Sequence, residues 1–235
     1  MVMERRRESS LAQQLAELTR DVTVRNTGDP ASALHELVGS ATDYVPGAQY
    51  VGITLAARGG SVESVAATHR YAELLDEIQE KFQEGPCLSA AWNQQTIEVP
   101  DLSKDSRWPK YRREATASTP VRSILSYQLF TGAKKVGALN FYADNPGAFE
   151  PRDVELGLVF ATHVAITWNM VLLDKQMRSA LASRDIIGQA KGIIMERFDV
   201  DAVRAFELLK RLSQDSNVPL VTVAERLVTA DHPSR

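Results

Sequence analysis

Residues 183–228 read SRDIIGQAKGIIMERFDVDAVRAFELLKRLSQDSNVPLVTVAERLV, and three apolar stripes run through them at helical spacing. Ile186, Ile187, Ala190, Ile194 and Phe198 form the first. Val203, Phe206, Leu209 and Leu212 form the second, behind Asp201, which is placed to cap a helix N-terminus. Leu220, Val223, Ala224 and Leu227 form the third, just after Pro219. Three helices with one apolar side each predict a small bundle, with Ala190, Ile194, Phe206, Leu209 and Ala224 as its core.

Working outward, no proline occurs from Arg152 to Arg197, and the stretch is rich in helix formers. One continuous helix over it is ~69 Å long at ~1.5 Å per residue, so part of it is expected to connect two domains. Val154, Leu158, Ala161, Ala165, Trp168 and Leu172 are its expected sheet-covering or partner-facing stripe, while Gly188 and Gly192 either weaken it or let another helix approach. Further back, Val121–Thr131 and Lys135–Tyr142 read as strands joined by a tight turn near Gly132-Ala133-Lys134. Tyr50–Ala57 and Val62–Thr68 read as a hairpin across Arg58-Gly59-Gly60-Ser61, and Thr96–Val99 as a brief strand. Between these lie a helix through Leu74, Leu75, Ile78 and Phe82, stopped by Gly85-Pro86, and a short helical segment from Cys87 to Trp92. A helix from Pro30 through Leu34, Leu37 and Val38 precedes them, as does an amphipathic helix carrying Leu11, Leu15, Leu18 and Val22. The fold class is therefore α+β: an antiparallel sheet flanked by helices, a long connecting helix and a C-terminal three-helix bundle.

The residues 183–228 resemble the ANTAR family of RNA-binding transcription antitermination regulators along their whole length. The cluster Gln189-Ala190-Lys191-Gly192-Ile193-Ile194-Met195, the pair Ala205-Phe206 with Leu209, and Val223-Ala224 carry the likeness. That resemblance implies a bundle that dimerises and binds nascent RNA bearing two small hairpins with hexanucleotide loops, so that a terminator does not form. Upstream, Gly85-Pro86-Cys87-Leu88, Val99-Pro100-Asp101-Leu102, Asp105-Ser106-Arg107-Trp108 and Val136-Gly137-Ala138-Leu139-Asn140-Phe141 resemble the GAF family of signal receivers. A small-molecule ligand is implied there, of unknown identity; the complete motif of many cyclic-nucleotide-binding relatives is not apparent. The expected organisation is an N-terminal helix at 1–25, a GAF-like sensor at 26–172, a helical linker at 173–182 and an ANTAR domain at 183–230.

Composition narrows the partners. A net charge of −3 excludes a uniformly basic surface, so nucleic-acid contact must come from a local cluster. Arg184, Lys191, Arg197, Arg204, Lys210 and Arg211 are the candidate phosphate ligands, and Gln189 and Gly192 join them through the resemblance. Asp185, Glu196, Asp199, Asp201 and Glu207 lie among these cations, so an ordinary solvated face is the competing reading. It belongs to the alternative in which the chain is a dimerising protein-interaction module without specific RNA binding. Ala190 reads as a packing residue, Gly192 as packing or as room for a base, and Phe206 as core rather than a stacking ring.

The single cysteine, Cys87, cannot form an internal disulfide and has no metal-site spacing, and His35, His69, His163 and His232 lie in no haem or zinc pattern. Neither a metal nor a cofactor is expected. Trp92, Trp108 and Trp168 line a pocket or seal the core. No phosphate-loop Gly-Lys, nucleophile elbow or zinc-protease helix occurs, so no catalytic residue is assigned. Arg5, Arg6 and Arg7 precede no apolar core of a secretory signal, and no run is expected to reach the ~18 apolar residues of a membrane span. A cytoplasmic, dimeric regulator is the resulting expectation.

Overall fold

The computed structural model describes residue 13 and residues 30–57, 60–92, 96–131 and 135–231. The helix expected around Leu11–Val22 and the turn residues 58–59 and 132–134 lie outside the described residues, as does His232. The chain divides into two compact units between Val171 and Leu172.

In the first unit, α1 (Pro30–Gly39) and α2 (Ala41–Tyr44) lead into β1 (Tyr50–Ala57) and β2 (Val62–Ala67). Then come α3 (Arg70–Phe82), α4 (Pro86–Trp92), β3 (Thr96–Val99), α5 (Pro109–Ser118), β4 (Ser123–Thr131) and β5 (Lys135–Ala143). The strands make one five-stranded sheet in the order β2-β1-β5-β4-β3, with every neighbouring pair antiparallel. The hairpins anticipated from the sequence are thus joined through β1 and β5, whose register sets Val51 against Phe141 and Ile53 against Leu139.

α5 is an addition to the sequence reading. Pro109 opens it at a position where its missing N–H costs nothing. Only Tyr111 and Ala115 of its residues are buried, so it has too few apolar positions to announce itself by periodicity. The loop before it is held locally: the Ser103 backbone and hydroxyl donate to Asp101, and Arg107 donates to Asp105 while lying 4.4 Å over the Trp108 ring. Trp108 itself joins the core, its indole N–H donating to Ser89 Oγ at 3.0 Å.

Alternation along β5 sends Phe141 and Tyr142 to opposite faces of the sheet. Tyr142 packs with Leu75, Ile97, Tyr111 and Ile124, the layer built by α3 and α5. Phe141 meets Tyr127 at 6.0 Å and Phe160 at 6.1 Å, the layer covered by α6 (Pro151–Phe198), a 48-residue helix. Tyr127 Oη donates to the Val154 carbonyl at 2.8 Å, and a Cβ on Gly157 would come within 2.6 Å of that hydroxyl. Glycine is required there because the ring occupies the space of a side chain.

Leu156, Phe160, Ala161, Val164 and Trp168 form the buried side of α6, whereas Leu158, from the stripe expected to cover the sheet or face a partner, is exposed. The expectation about membrane length also needs correction. An 18-residue window of α6 has mean hydropathy 1.7, so the helix is long and apolar enough to cross a membrane by length and composition, although Thr162, His163, Thr167 and Asn169 interrupt it. Its apolarity has a local cause, since Phe160, Val164 and Trp168 are buried.

The second unit contains the end of α6, then α7 (Ala202–Ser216) and α8 (Leu220–Asp231). The residues that follow α6 and α7, Asp199 and Asn217, are both in the left-handed region at φ 50° and 52°. Asp201 caps α7 by accepting the Arg204 N–H at 2.8 Å. Ala190, Ile194, Ala205, Leu209, Val223 and Ala224 form its core, with Ile186, Ile187, Leu208, Leu220 and Leu227 packed against them. Among the described residues no helix packs closely on Gly188 or Gly192: a Cβ at either meets nothing within 4 Å.

Gly157→Ala is expected to lower stability by about 1–3 kcal/mol through overpacking against Tyr127. Urea unfolding followed by tryptophan fluorescence checks this, and an unchanged midpoint removes the contact from the account of how α6 is seated.

Candidate functional site

Two groups of residues have functional chemistry, one in each unit. In the first unit, α3 places Ala72, Leu75, Asp76 and Gln79 on its sheet-facing side, so a carboxylate and an amide sit where an amphipathic helix usually carries apolar groups. Asp76 is buried, and the Thr54 hydroxyl of β1 lies 2.8 Å from each of its oxygens. Gln79 Nε2 donates to Asp76 Oδ1 at 3.3 Å, and Asn140 Nδ2 of β5 donates to Thr54 Oγ1 at 2.9 Å. Gln79 Oε1 accepts the Cys87 backbone N–H at 2.9 Å. The Gln79 side chain passes through the space that a Cβ on Gly85 would fill, and Gly85 has φ +149°. The Gly85-Pro86-Cys87 stretch is therefore shaped around Gln79.

No cation pairs with Asp76 among the described residues. Burial pushes its carboxyl up to about 7, against the smaller opposing effect of hydrogen bonds from Thr54, Ser64 and Gln79, and Glu73 pushes it further up. Cys87, beside the same cluster, is pushed up to about 12 by burial and by Asp76, so it is held as a thiol. That removes the electropositive, exposed setting a reactive cysteine needs. Asn140 Oδ1 and Tyr111 Oη are buried without a hydrogen-bond partner, leaving acceptor and donor capacity unused around the carboxyl. This arrangement can take up a proton near neutral pH. The sequence reading missed Asp76, although its spacing from Ala72 and Gln79 was the available signal.

Of the histidines, His69 caps α3 by accepting the Tyr71 N–H at 3.2 Å and packs between Tyr50 and Tyr71. Burial lowers His163 below the ordinary histidine range.

In the second unit, Arg184, Gln189, Gly192, Arg197, Arg204, Lys210 and Arg211 are exposed and Lys191 is half-buried. Arg184, Lys191 and Phe198 stand seven residues apart and share one flank of α6, with Met195 next to them. On α7 the cations separate. Arg204 and Arg211 lie on one flank, drawn into ion pairs with Glu207 at 3.0 Å and Asp215 at 3.8 Å. Lys210 lies on the other flank, one turn beyond Phe206.

Ala190, Ile194, Leu209 and Ala224 are in the core, but Phe206 is 40% exposed, Val203 70% and Leu212 56%. The assignment of Phe206 to the core is corrected by helix geometry. Each three-residue step falls ~60° short of a full turn, so a run of such steps from 203 to 212 winds half-way around the helix. Ala205 and Leu209, four apart, take the buried side instead.

Comparison with known proteins places these observations. The profile described as GAF domain matches residues 27–169, and the one described as ANTAR domain matches residues 175–228. No curated protein matches the chain. Among solved structures, the GAF domain of a phosphoenolpyruvate-protein phosphotransferase from Coxiella burnetii is similar at TM-score 0.52 and 15% identity, covering 71% of this chain and 96% of that one. The free methionine-R-sulfoxide reductase from Neisseria meningitidis in complex with its substrate gives TM-score 0.52 and 15% identity, over 71% of this chain and 95% of its own. A phycoerythrobilin-bound GAF domain from a cyanobacterial phytochrome gives 0.51 and 13%, over 72% and 99%. At such identities the likeness establishes the fold of the first unit.

Because Asp76 holds its proton more tightly when folded than the unfolded value of 3.8, its contribution to stability is greatest below that value and is lost as pH rises through about 7. Asp76→Asn is expected to flatten the fall in stability between about pH 4 and 7. Denaturant titrations of both proteins across that range test it; parallel pH profiles contradict it.

Proposed function

Since the chain belongs to the GAF domain family and carries an ANTAR domain behind that domain, we propose that it is a signal-responsive regulator that binds paired hexaloop hairpins in nascent transcripts and acts by antitermination. GAF domains are sensor modules and ANTAR domains are RNA-binding antitermination modules. The ANTAR match over residues 175–228 carries the reading. Arg184, Gln189, Lys191, Gly192, Arg197, Arg204, Lys210 and Arg211 are its RNA-facing residues, with the cations meeting phosphate. The domain limits are the N-terminal helix at 1–25, the sensor at 26–172, the linker at 173–182 and the RNA-binding domain at 183–230. The protein acts in the cytoplasm.

The sensor's best-placed receiver is the cluster around Asp76, because a buried carboxyl without a cation has much to gain from a donor-bearing small molecule. The regulator works as a homodimer. Leu173, Met177 and Leu181, at the start of the second unit, are exposed and follow one another by steps of four. Such a seam suits a parallel partner helix. Ligand shifts the balance between RNA-competent and RNA-incompetent dimers to the extent that it binds one more tightly. The same exposed seam is the observation that favours the second reading, a dimerising protein-interaction module without specific RNA binding.

Purified full-length protein is expected to bind an RNA with two adjacent hexaloop hairpins at least tenfold more tightly than the same RNA with scrambled loops, in a salt titration. Equal, weak and salt-sensitive binding to both RNAs transfers support to the interaction module. Gly192→Ala is expected to stabilise the second unit by about 1 kcal/mol, because its exposed Cβ improves helix propensity, and to weaken RNA binding by filling space against the RNA. Stabilisation with unchanged affinity removes Gly192 from the contact surface.

A further inference from the structure

Phe206 is an aromatic residue partly covered by its own unit and partly open to solvent. It lies outside the core cluster of its own unit and is 40% exposed, and among the described residues no ring or cation packs on it. One turn before it, Val203 is 70% exposed, and one turn after it comes Lys210, which forms no ion pair among the described residues. At ~100° per residue these three share one flank of α7. The opposite flank has the reverse character: Arg204 and Arg211 are held there by Glu207 and Asp215. So α7 presents one flank whose charge is internally balanced, and one where an exposed ring stands beside an unengaged cation.

A ring with a flat face and a neighbouring ammonium match a single-stranded nucleotide, which offers a π-face and a phosphate about one residue's reach apart. A second protein surface fits less well, since lysine is depleted from patches that meet protein. Resting on the RNA reading above, we propose that Phe206 is the stacking platform for an unpaired loop base of the bound hairpin, with Lys210 taking an adjacent phosphate and Val203 covering the base edge. The position supplies affinity through stacking and tolerates different bases there, because every base has a π-face.

The test uses the full-length protein and the double-hairpin RNA, with 2-aminopurine placed in turn at each loop position. The wild type is expected to quench one loop position strongly. Phe206→Leu is expected to lose that quenching and to bind about tenfold more weakly with an unchanged salt slope, while Phe206→Tyr retains both. Lys210→Ala is expected to reduce the salt slope by about 0.7, the loss of one single-strand phosphate contact. Circular dichroism of Phe206→Leu should match the parent, since the side chain is outside the core. If the wild type discriminates against scrambled loops but Phe206→Leu binds equally well, the stacking proposal is overturned while the RNA reading stands. If the wild type shows no loop discrimination, the RNA reading fails and this proposal with it. Altered self-association of Phe206→Leu in sedimentation, with its RNA affinity intact, assigns the flank to protein contact and overturns the proposal.

Discussion

The seating of α6 on the sheet governs what the rest of the first unit can present. Tyr127 reaches across to the Val154 carbonyl at 2.8 Å, and only a glycine at 157 leaves room for its ring. Phe160 then falls against Phe141 and Tyr44, at 6.1 and 5.9 Å between ring centroids. Once these contacts fix the rotation of the helix, its remaining apolar residues have no choice of direction. Leu158, Ile166 and Met170 are left outward, away from the core. A single rotational constraint thus separates the helix's buried side from its exposed side.

On the opposite face of the same sheet, the packing is of another kind. Tyr142, Leu75, Tyr111 and Ile124 build an apolar layer, yet Thr54, Asp76, Gln79 and Asn140 are buried near it with mostly neutral partners. Satisfying a buried carboxyl with hydroxyl and amide donors leaves its charge poorly compensated, which is why it keeps its proton close to neutrality. The network is also what gives Gly85 and Cys87 their places, since Gln79 accepts the Cys87 N–H through space that a side chain at 85 would occupy. A motif that reads in sequence as a helix stop turns out to be a mould around one glutamine. The cysteine inside it owes its position to that mould.

Much of this was legible beforehand. The strands of both hairpins, the proline-free long helix, the Asp201 cap and the burial of Ala190, Ile194, Leu209 and Ala224 all follow from local spacing and turn chemistry. α5 was not, because a helix burying only Tyr111 and Ala115 has too little periodicity to read. Phe206 was misplaced because a run of three-residue steps looks like a stripe in sequence while winding around the helix in space. Asp76 was overlooked because a charged residue on a helix is ordinarily solvated, and only its spacing with Ala72, Leu75 and Gln79 spoke otherwise.

By itself, then, the sequence determined the elements, their order and the two domain families, since these rest on periodicity, capping and motifs confined to neighbouring residues. Tertiary structure alone decided which side of each helix is buried. It brought Asn140 to the Thr54 hydroxyl, 86 residues away, and that hydroxyl to the Asp76 carboxyl, and it left Phe206 beside Lys210 facing outward. Those outcomes depend on contacts between residues distant along the chain, where a rotation of ~100° per residue turns a neighbour from core to surface.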